Sequence, residues 1–212
     1  MTGREHWDAI YRSKAAAEVS WYQAEPLLSL ALIRRVARDL NDPIIDVGGG
    51  ASTLVDGLLA AGYRDITVLD IAEPALTVAR QRLGERAGAV EWREADVLTT
   101  QLPAAAYAVW HDRAAFHFLT RAEDRRGYAA AMRRAVRPGG HSIVASFATD
   151  GPSRCSGLEV VRYSPESMLA ELGEGLELVD SVREDHRTPT GATQAFVYCL
   201  FRLSSNARGT DS

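Results

Sequence analysis

Three acids recur at comparable places in successive apolar runs: Asp46 in "PIIDVGGGAST" (43–53), Asp70 in "DITVLDI" (65–71) and Asp96 in "AVEWREADV" (89–97). A fourth run, "YAVWHD" (107–112), ends in His111 and Asp112 and leads to Arg113 and His117 in "RAAFHFL". A carboxylate at the end of a strand opposes a polyanion and favours an ammonium or sulfonium, by an amount set by its burial. Gly48 and Gly50 fill the first two positions of the dinucleotide fingerprint G-x-G-x-x-G, but Thr53 stands at the third. A phosphate loop fails more plainly, because its lysine is missing: Lys14 is the sole lysine and lies far from the turn. The turn therefore favours a cationic ligand over a pyrophosphate. Asp70 follows Gly50 by about 20 residues, the spacing at which an acid accepts hydrogen bonds from a ribose diol. Each acid also has a plainer reading: Asp46 as a buried cap, Asp70 as a cap of the helix at Glu73, Asp96 as a loop residue. Their shared place at strand ends is what joins them.

Such residues need elements to position them. Trp7, Ile10 and Tyr11 recur at helical spacing, predicting a short amphipathic helix before the aromatic stretch "EVSWYQ" (18–23). Pro26 suits a first helical position, and Ile33, Val36, Ala37 and Leu40 give one apolar face until "NDP" (41–43). Between the first three strand-like runs lie "TLVDGLLAAG" (53–62) and "EPALTVARQRLGERAG" (73–88), each closed by glycine as helices often are. Thr120 and Glu123 form a capping box for a helix through Val136, and "RPGG" (137–140) reads as its break before the strand "HSIVASFA" (141–148). A helix from Ser164 and Pro165 to Gly173 follows, then paired strands "LELVDSVRED" (176–185) and "TQAFVYCLFRL" (193–203) around a turn-rich loop. Alternating strands and helices predict an α/β fold: a doubly wound, seven-stranded, mostly parallel sheet with an antiparallel terminal strand pair and helices on both faces. Residues 1–204 read as a single domain, with 1–40 a helical cap, 41–204 the core and 205–212 a disordered tail.

Composition narrows the class. The formal net charge is −4, so the broad positive field needed for general nucleic-acid binding is missing. Cys155 and Cys199 are the only cysteines, without metal-ligand spacing, so neither a zinc site nor a disulfide framework is indicated and a reducing cytoplasm fits. No apolar run approaches membrane-spanning length.

The ordered set "IIDVGGGAS", "VLDI", "EADV" and "RPGG" over residues 40–148 resembles the class I, Rossmann-like S-adenosylmethionine-dependent methyltransferases. The resemblance implies S-adenosylmethionine as cofactor and S-adenosylhomocysteine as product. It implies Asp46, Gly48 and Gly50 around the methionine moiety, Asp70 at the ribose, Ile71 on the adenine face, and Asp96 with Val97 at the adenine edge. "EVSWYQ" and "HDRAAFHFL" are similar to a branch containing protein-lysine methyltransferases that modify translation factors. That branch carries a glycine about two residues after the fourth-strand acid, where this chain has Ala114 and Ala115.

Methyl transfer is an in-line displacement, so alignment and exclusion of water are most of the protein's task. His117 is the first choice for a base or substrate orienter and His111 the second, with Asp112 beside them; a packed histidine is the plainer reading of each. Arg113 is a substrate candidate, or a partner of Asp112. Trp21 and Tyr22 are expected to lie across the cofactor, where aromatic faces favour a cation, or to belong to the core of the cap. The turn-rich segment 148–163 contributes Arg154, Cys155, Arg162 and Tyr163 as substrate candidates. The leading expectation is a small-molecule nitrogen, oxygen or sulfur acceptor. The alternatives are a protein lysine or N-terminus, a nicotinamide-dependent oxidoreductase, and a cofactor-binding module without turnover. No membrane partner and no metal are expected, and oligomeric state is left open.

Overall fold

A computed structural model describes residues 3–205. The disordered tail expected at 205–212 lies outside the described residues except for Ser205. Seven strands form one sheet in the order β3-β2-β1-β4-β5-β9-β8. Its parallel half comprises β1 (Ile44–Val47), β2 (Ile66–Asp70), β3 (Glu91–Glu94), β4 (Tyr107–Arg113) and β5 (Val136–Phe147). Strand β9 (Thr193–Leu203) runs antiparallel to β5 on one side and to β8 (Leu176–Arg187) on the other. The expected fold class is observed. A short hairpin, β6 (Arg154–Cys155) with β7 (Leu158–Glu159), stands apart.

Strands β1 and β2 are buried throughout, as a central parallel sheet covered on both faces requires. Alternation then sends neighbours to opposite faces. Ile44 packs in one apolar layer with Leu54 and Leu58 of α3 (Leu54–Ala60), Ile33 of α2 (Leu27–Val36) and Leu76 of α4 (Glu73–Leu83). Ile45 packs in the other, with Tyr128 and Met132 of α5 (Ala122–Ala135) and Met168 of α6 (Pro165–Leu172). The first helix, α1 (Gly3–Ser13), has no fully buried residue and rests against α4 at the carboxyl end of the sheet. An Arg4–Glu94 ion pair ties it to the end of β3.

Three local expectations are corrected. Helix α2 stops at Val36, leaving Leu40 beyond its end and 40% exposed. The Thr120–Glu123 capping box does not form: the residue preceding α5 is Arg121, which makes no side-chain cap and instead pairs with Glu123. "RPGG" does not separate helix from strand. It belongs to β5, which starts at Val136, pairs with Tyr107, and shifts register before His141 meets Val109. Ladder pairing overrides the local break, and the extra residues are absorbed as a bulge. Among the described residues no helix is long and apolar enough to cross a membrane.

Candidate active site

The carboxyl ends of β1, β2 and β4 frame two adjoining spaces: a cavity of about 390 Å³ and a narrow void of about 40 Å³. Gly48, Tyr11, Trp21 and Arg113 border both. Asp70, Ile71, Asp96 and Val97 line the larger cavity. Asp46 and Tyr22 line the narrow void instead. The three acids thus occupy one rim but not one wall.

The glycine turn is shaped by close approach. A Cβ on Gly50 would lie 2.7 Å from Asp70 Oδ2, and one on Gly48 would lie 2.5 Å from Ala115 Cβ. Both glycines have positive φ, 35° and 68°, which favours a residue without a side chain. The turn is held to β2 by Gly48 N–H donating to Leu69 O at 2.8 Å.

Asp46 and His111 are register partners in the parallel β1–β4 pairing, so their side chains leave the same face. His111 Nδ1 donates to Asp46 Oδ1 at 2.7 Å, and Nε2 accepts from the Ser29 hydroxyl of α2 at 2.9 Å. One imidazole tautomer satisfies both contacts. All three side chains are buried. The capping role considered for Asp46 is therefore not observed; its partner is a histidine that sequence order gave no reason to pair with it.

Asp70 is 7% exposed. Its Oδ1 accepts from Ala72 N–H at 2.8 Å, short of the helix that begins at Glu73, which has no side-chain cap. Burial raises its carboxyl to about 7, with the negative charge of Asp46 adding to the rise and the backbone N–H groups of Ala72, Ile71 and Gly50 opposing it. Asp96 lies two residues beyond the end of β3, half-buried, with Oδ1 accepting from Leu98 N–H at 2.9 Å.

The β4 rim is arranged differently. Asp112 follows His111 and therefore points to the other face, where it is fully buried and lines neither space. It accepts from Ala115 N–H (2.9 Å), Phe116 N–H (3.1 Å) and the Tyr128 hydroxyl (2.7 Å). Burial raises its carboxyl to about 6, and those donors hold it from rising further. Arg113 returns to the cavity side but pairs with Glu184 rather than with Asp112. It also donates to Tyr198 Oη (2.7 Å) and Trp21 O (2.8 Å), with its guanidinium 4.4 Å over the Phe196 ring.

His117 is fully buried between Phe118 and Phe147, with ring centroids 4.4 and 4.8 Å away, and lines neither space. Both ring nitrogens lack a hydrogen-bond partner among the described residues. Burial, then the nearby Arg113 charge, lowers its pKa to about 3, which leaves it a weak base at neutral pH. The four substrate candidates of segment 148–163 also lie off the cavity. Arg154 and Arg162 are exposed and donate to Gly157 O and Gly151 O. Cys155 and Tyr163 are core residues, the latter stacked on Phe116 at 5.3 Å. Leu158 is the residue of this segment that reaches the larger cavity.

Residues missed as site members are Trp7, Tyr11, Ala114, Ala115 and Phe118. Helical spacing of Trp7 and Tyr11 was visible, but which way that face turns was not. Burial, then the Asp70 charge, pushes the Tyr11 phenol up. Ala114 sits at φ 69°, a left-handed conformation that costs a non-glycine residue about 1–2 kcal/mol. Ala114 and Ala115 together stand where the sequence resemblance sets a glycine.

Comparison with known proteins agrees with this geometry. A family described as a methyltransferase domain matches residues 44–140. An uncharacterized methyltransferase of Mycobacterium tuberculosis is 34% identical over 119 residues, covering 54% of this chain and 54% of that protein. An eEF1A lysine and N-terminal methyltransferase of Danio rerio is 24% identical over 124 residues, covering 58% of this chain and 18% of that protein. The chain thus spans about half or less of the length of these relatives. A solved structure from work on the conversion of a disulfide bond into a thioacetal group during echinomycin biosynthesis superposes with a TM-score of 0.79 at 21% identity, covering 98% of this chain and 95% of that one. Residues 44–140 thus match a methyltransferase domain, and the chain shares the fold of that solved structure.

Proposed function

We propose that this protein transfers the methyl group of S-adenosylmethionine to a small-molecule nitrogen, oxygen or sulfur nucleophile by in-line displacement. One observation carries the reading: the 390 Å³ cavity runs from Asp70, Ile71 and Val97 to a roof of Trp7, Tyr11 and Trp21. Its size falls in the range of small-ligand sites. A cavity roofed by the protein's own N-terminal aromatics suits a compact acceptor better than an extended chain.

The residues present fit the cofactor. Asp70 offers a carboxylate to a ribose diol, Ile71 and Val97 offer apolar faces to adenine, and Asp96 keeps Oδ2 outside its bond to Leu98. Asp46, Gly48 and Gly50 would hold the methionine end, with the cramped turn excluding side chains there. When bound, the cofactor supplies an electrophilic methyl on a positively charged sulfur. The task left to this chain is to orient the acceptor along the sulfur–methyl axis and to exclude water. His111 acts by holding Asp46, Asp112 by fixing the 115–116 turn, and His117 by packing behind the wall. Arg113 fastens the Trp21 segment to β8 and β9, and Trp21 faces the cavity. Residues 1–204 act as one domain, with 1–40 as its cap.

A second reading, methylation of a protein lysine or N-terminus, is supported by the likeness to the Danio rerio protein. Calorimetric titration of S-adenosylhomocysteine tests the cofactor assignment. Wild type binds, and Asp70→Ala loses about 10- to 100-fold in affinity, the worth of hydrogen bonds to a charged acceptor. Equal affinity in the two proteins overturns the placement of the ribose. An acceptor screen then separates the readings: methylation of peptide lysines with free amines inert favours the second.

A further inference from the structure

Four aromatic residues line the larger cavity: Trp7, Tyr11, Trp21 and Phe118. They meet edge to face. Trp7 stands 73° to Phe118 at 4.8 Å and 87° to Trp21 at 5.8 Å, and Tyr11 stands 79° to Trp21 at 6.4 Å. With Trp7 steeply inclined to both Phe118 and Trp21, the three rings form the corner of a box whose faces differ in direction, which is how aromatic cages hold alkylated ammonium groups.

The charges on the wall agree. Asp70, Asp96 and Asp124 line the cavity, whereas Arg113 is its one cationic lining residue among those described, and it is paired with Glu184 and also donates to Tyr198 and Trp21 O. An acidic acceptor would have to compete with Glu184 for that cation. Of the candidate bases, His111, Asp112 and His117 lie outside this cavity's lining, and Asp70, which lies within it, is assigned to the ribose. A nucleophile that must surrender a proton to a wall histidine is poorly served, while a neutral amine attacks through its lone pair without one.

We propose that the acceptor is an alkylated amine, held with its nitrogen in the box formed by Trp7, Trp21 and Phe118. This rests on the methyltransferase reading above. The nitrogen lone pair forms the N–C bond as the S–C bond breaks and its electron pair returns to sulfur. Positive charge passes from sulfur to nitrogen, so net charge is conserved along the path. The acceptor reacts as its free base, its ammonium form having first given its proton to water; a tertiary amine then yields a quaternary ammonium with no further proton released, and a secondary amine releases one more to water. A thiolate or alkoxide acceptor would annihilate charge in the same step, and a cage that stabilises cations opposes that.

The test uses the complex with S-adenosylhomocysteine, whose sulfur is uncharged and leaves the box free for another cation. Choline and its neutral carbon isostere 3,3-dimethylbutan-1-ol are titrated by calorimetry and by Trp7 and Trp21 fluorescence. Choline is expected to bind about tenfold more tightly than the alcohol. In Trp7→Leu, a change on a helix without fully buried residues, that ratio is expected to fall towards one. A ratio near one in wild type, including absence of binding by either probe, overturns the proposal, as does a ratio unchanged by Trp7→Leu. Failure of S-adenosylhomocysteine itself to bind overturns the cofactor assignment, and is read separately from the ratio.

Discussion

The two halves of the sheet's carboxyl rim handle their polar residues in opposite ways. At β1 and β2, acids stand at the strand ends next to a turn without side chains, and the cavity opens onto Asp70, Ile71 and Val97. At β4, polar side chains face inward to neighbours: Asp112 to Tyr128 and the 115–116 backbone, His117 to phenylalanines, Arg113 to Glu184 and Tyr198. Asp70 of β2 is turned to the cavity, whereas Asp46 of β1 is held by His111 and the β4 groups brace a wall. A rim of strand ends is thus not uniformly functional; what decides is whether a polar group keeps a valence free towards the cavity.

The two histidines of the β4 rim offer the strongest way to break this contrast. His111 is satisfied at both nitrogens and His117 at neither. His111→Ala leaves Asp46 buried without its donor and is expected to cost about 3–5 kcal/mol in urea denaturation. An effect under about 1 kcal/mol would show that water replaces the ring and that the Asp46 pairing is incidental.

The next effect concerns pH. Burial holds the Asp70 carboxyl near 7, and in the proposed placement a ribose diol would donate to the ionised form. Affinity for S-adenosylhomocysteine is expected to be constant above about pH 8 and to fall towards tenfold per unit below 7, while Asp70→Asn binds weakly at every pH. In the ligand-free protein the raised value acts in the opposite sense. It adds stability that is fully present below the unfolded carboxyl's pKa and is lost as pH rises through about 7. Asp70→Asn should therefore melt about 2–6 °C higher than wild type at pH 8, trading binding for stability. A variant that melts no higher would remove the electrostatic cost assigned to this site.

Smaller shifts sharpen the same comparison. His117→Leu removes two buried, unpaired nitrogens, and is expected to raise stability by about 1–3 kcal/mol with cofactor affinity unchanged. If the substitution instead abolishes turnover while the protein stays folded, His117 reaches the acceptor in a conformation different from this one. Ala114→Gly relieves the left-handed backbone at the cavity wall and is expected to gain up to about 1 kcal/mol by thermal melting, the relief being partly offset by glycine's larger unfolded entropy.

The strands of the parallel half were legible because each is a short apolar run bounded by turn residues, and the same runs carried Asp46 and Asp70 to their ends. One further conclusion was available from alternation: adjacent residues of a strand face opposite ways, so His111 and Asp112 had to part. Other features were beyond local patterning. "RPGG" reads as a break, yet β4 recruits it into a bulged ladder. Thr120 and Glu123 have capping-box spacing, yet Glu123 is drawn to Arg121. Arg154 and Arg162 sit in a turn-rich segment after a strand, but their hydrogen bonds close that segment on itself.

By itself the sequence determined the alternation of elements, the placing of acids at strand ends and the cramped glycine turn, because hydrophobic period and backbone freedom are properties of neighbouring residues. The tertiary structure alone decided that Asp46 meets His111 and Ser29, that Trp7 and Tyr11 roof the cavity, and that His117 faces a wall of phenylalanines. Those outcomes depend on strand register and helix docking between residues far apart in the chain, and packing across that distance leaves no mark in local spacing.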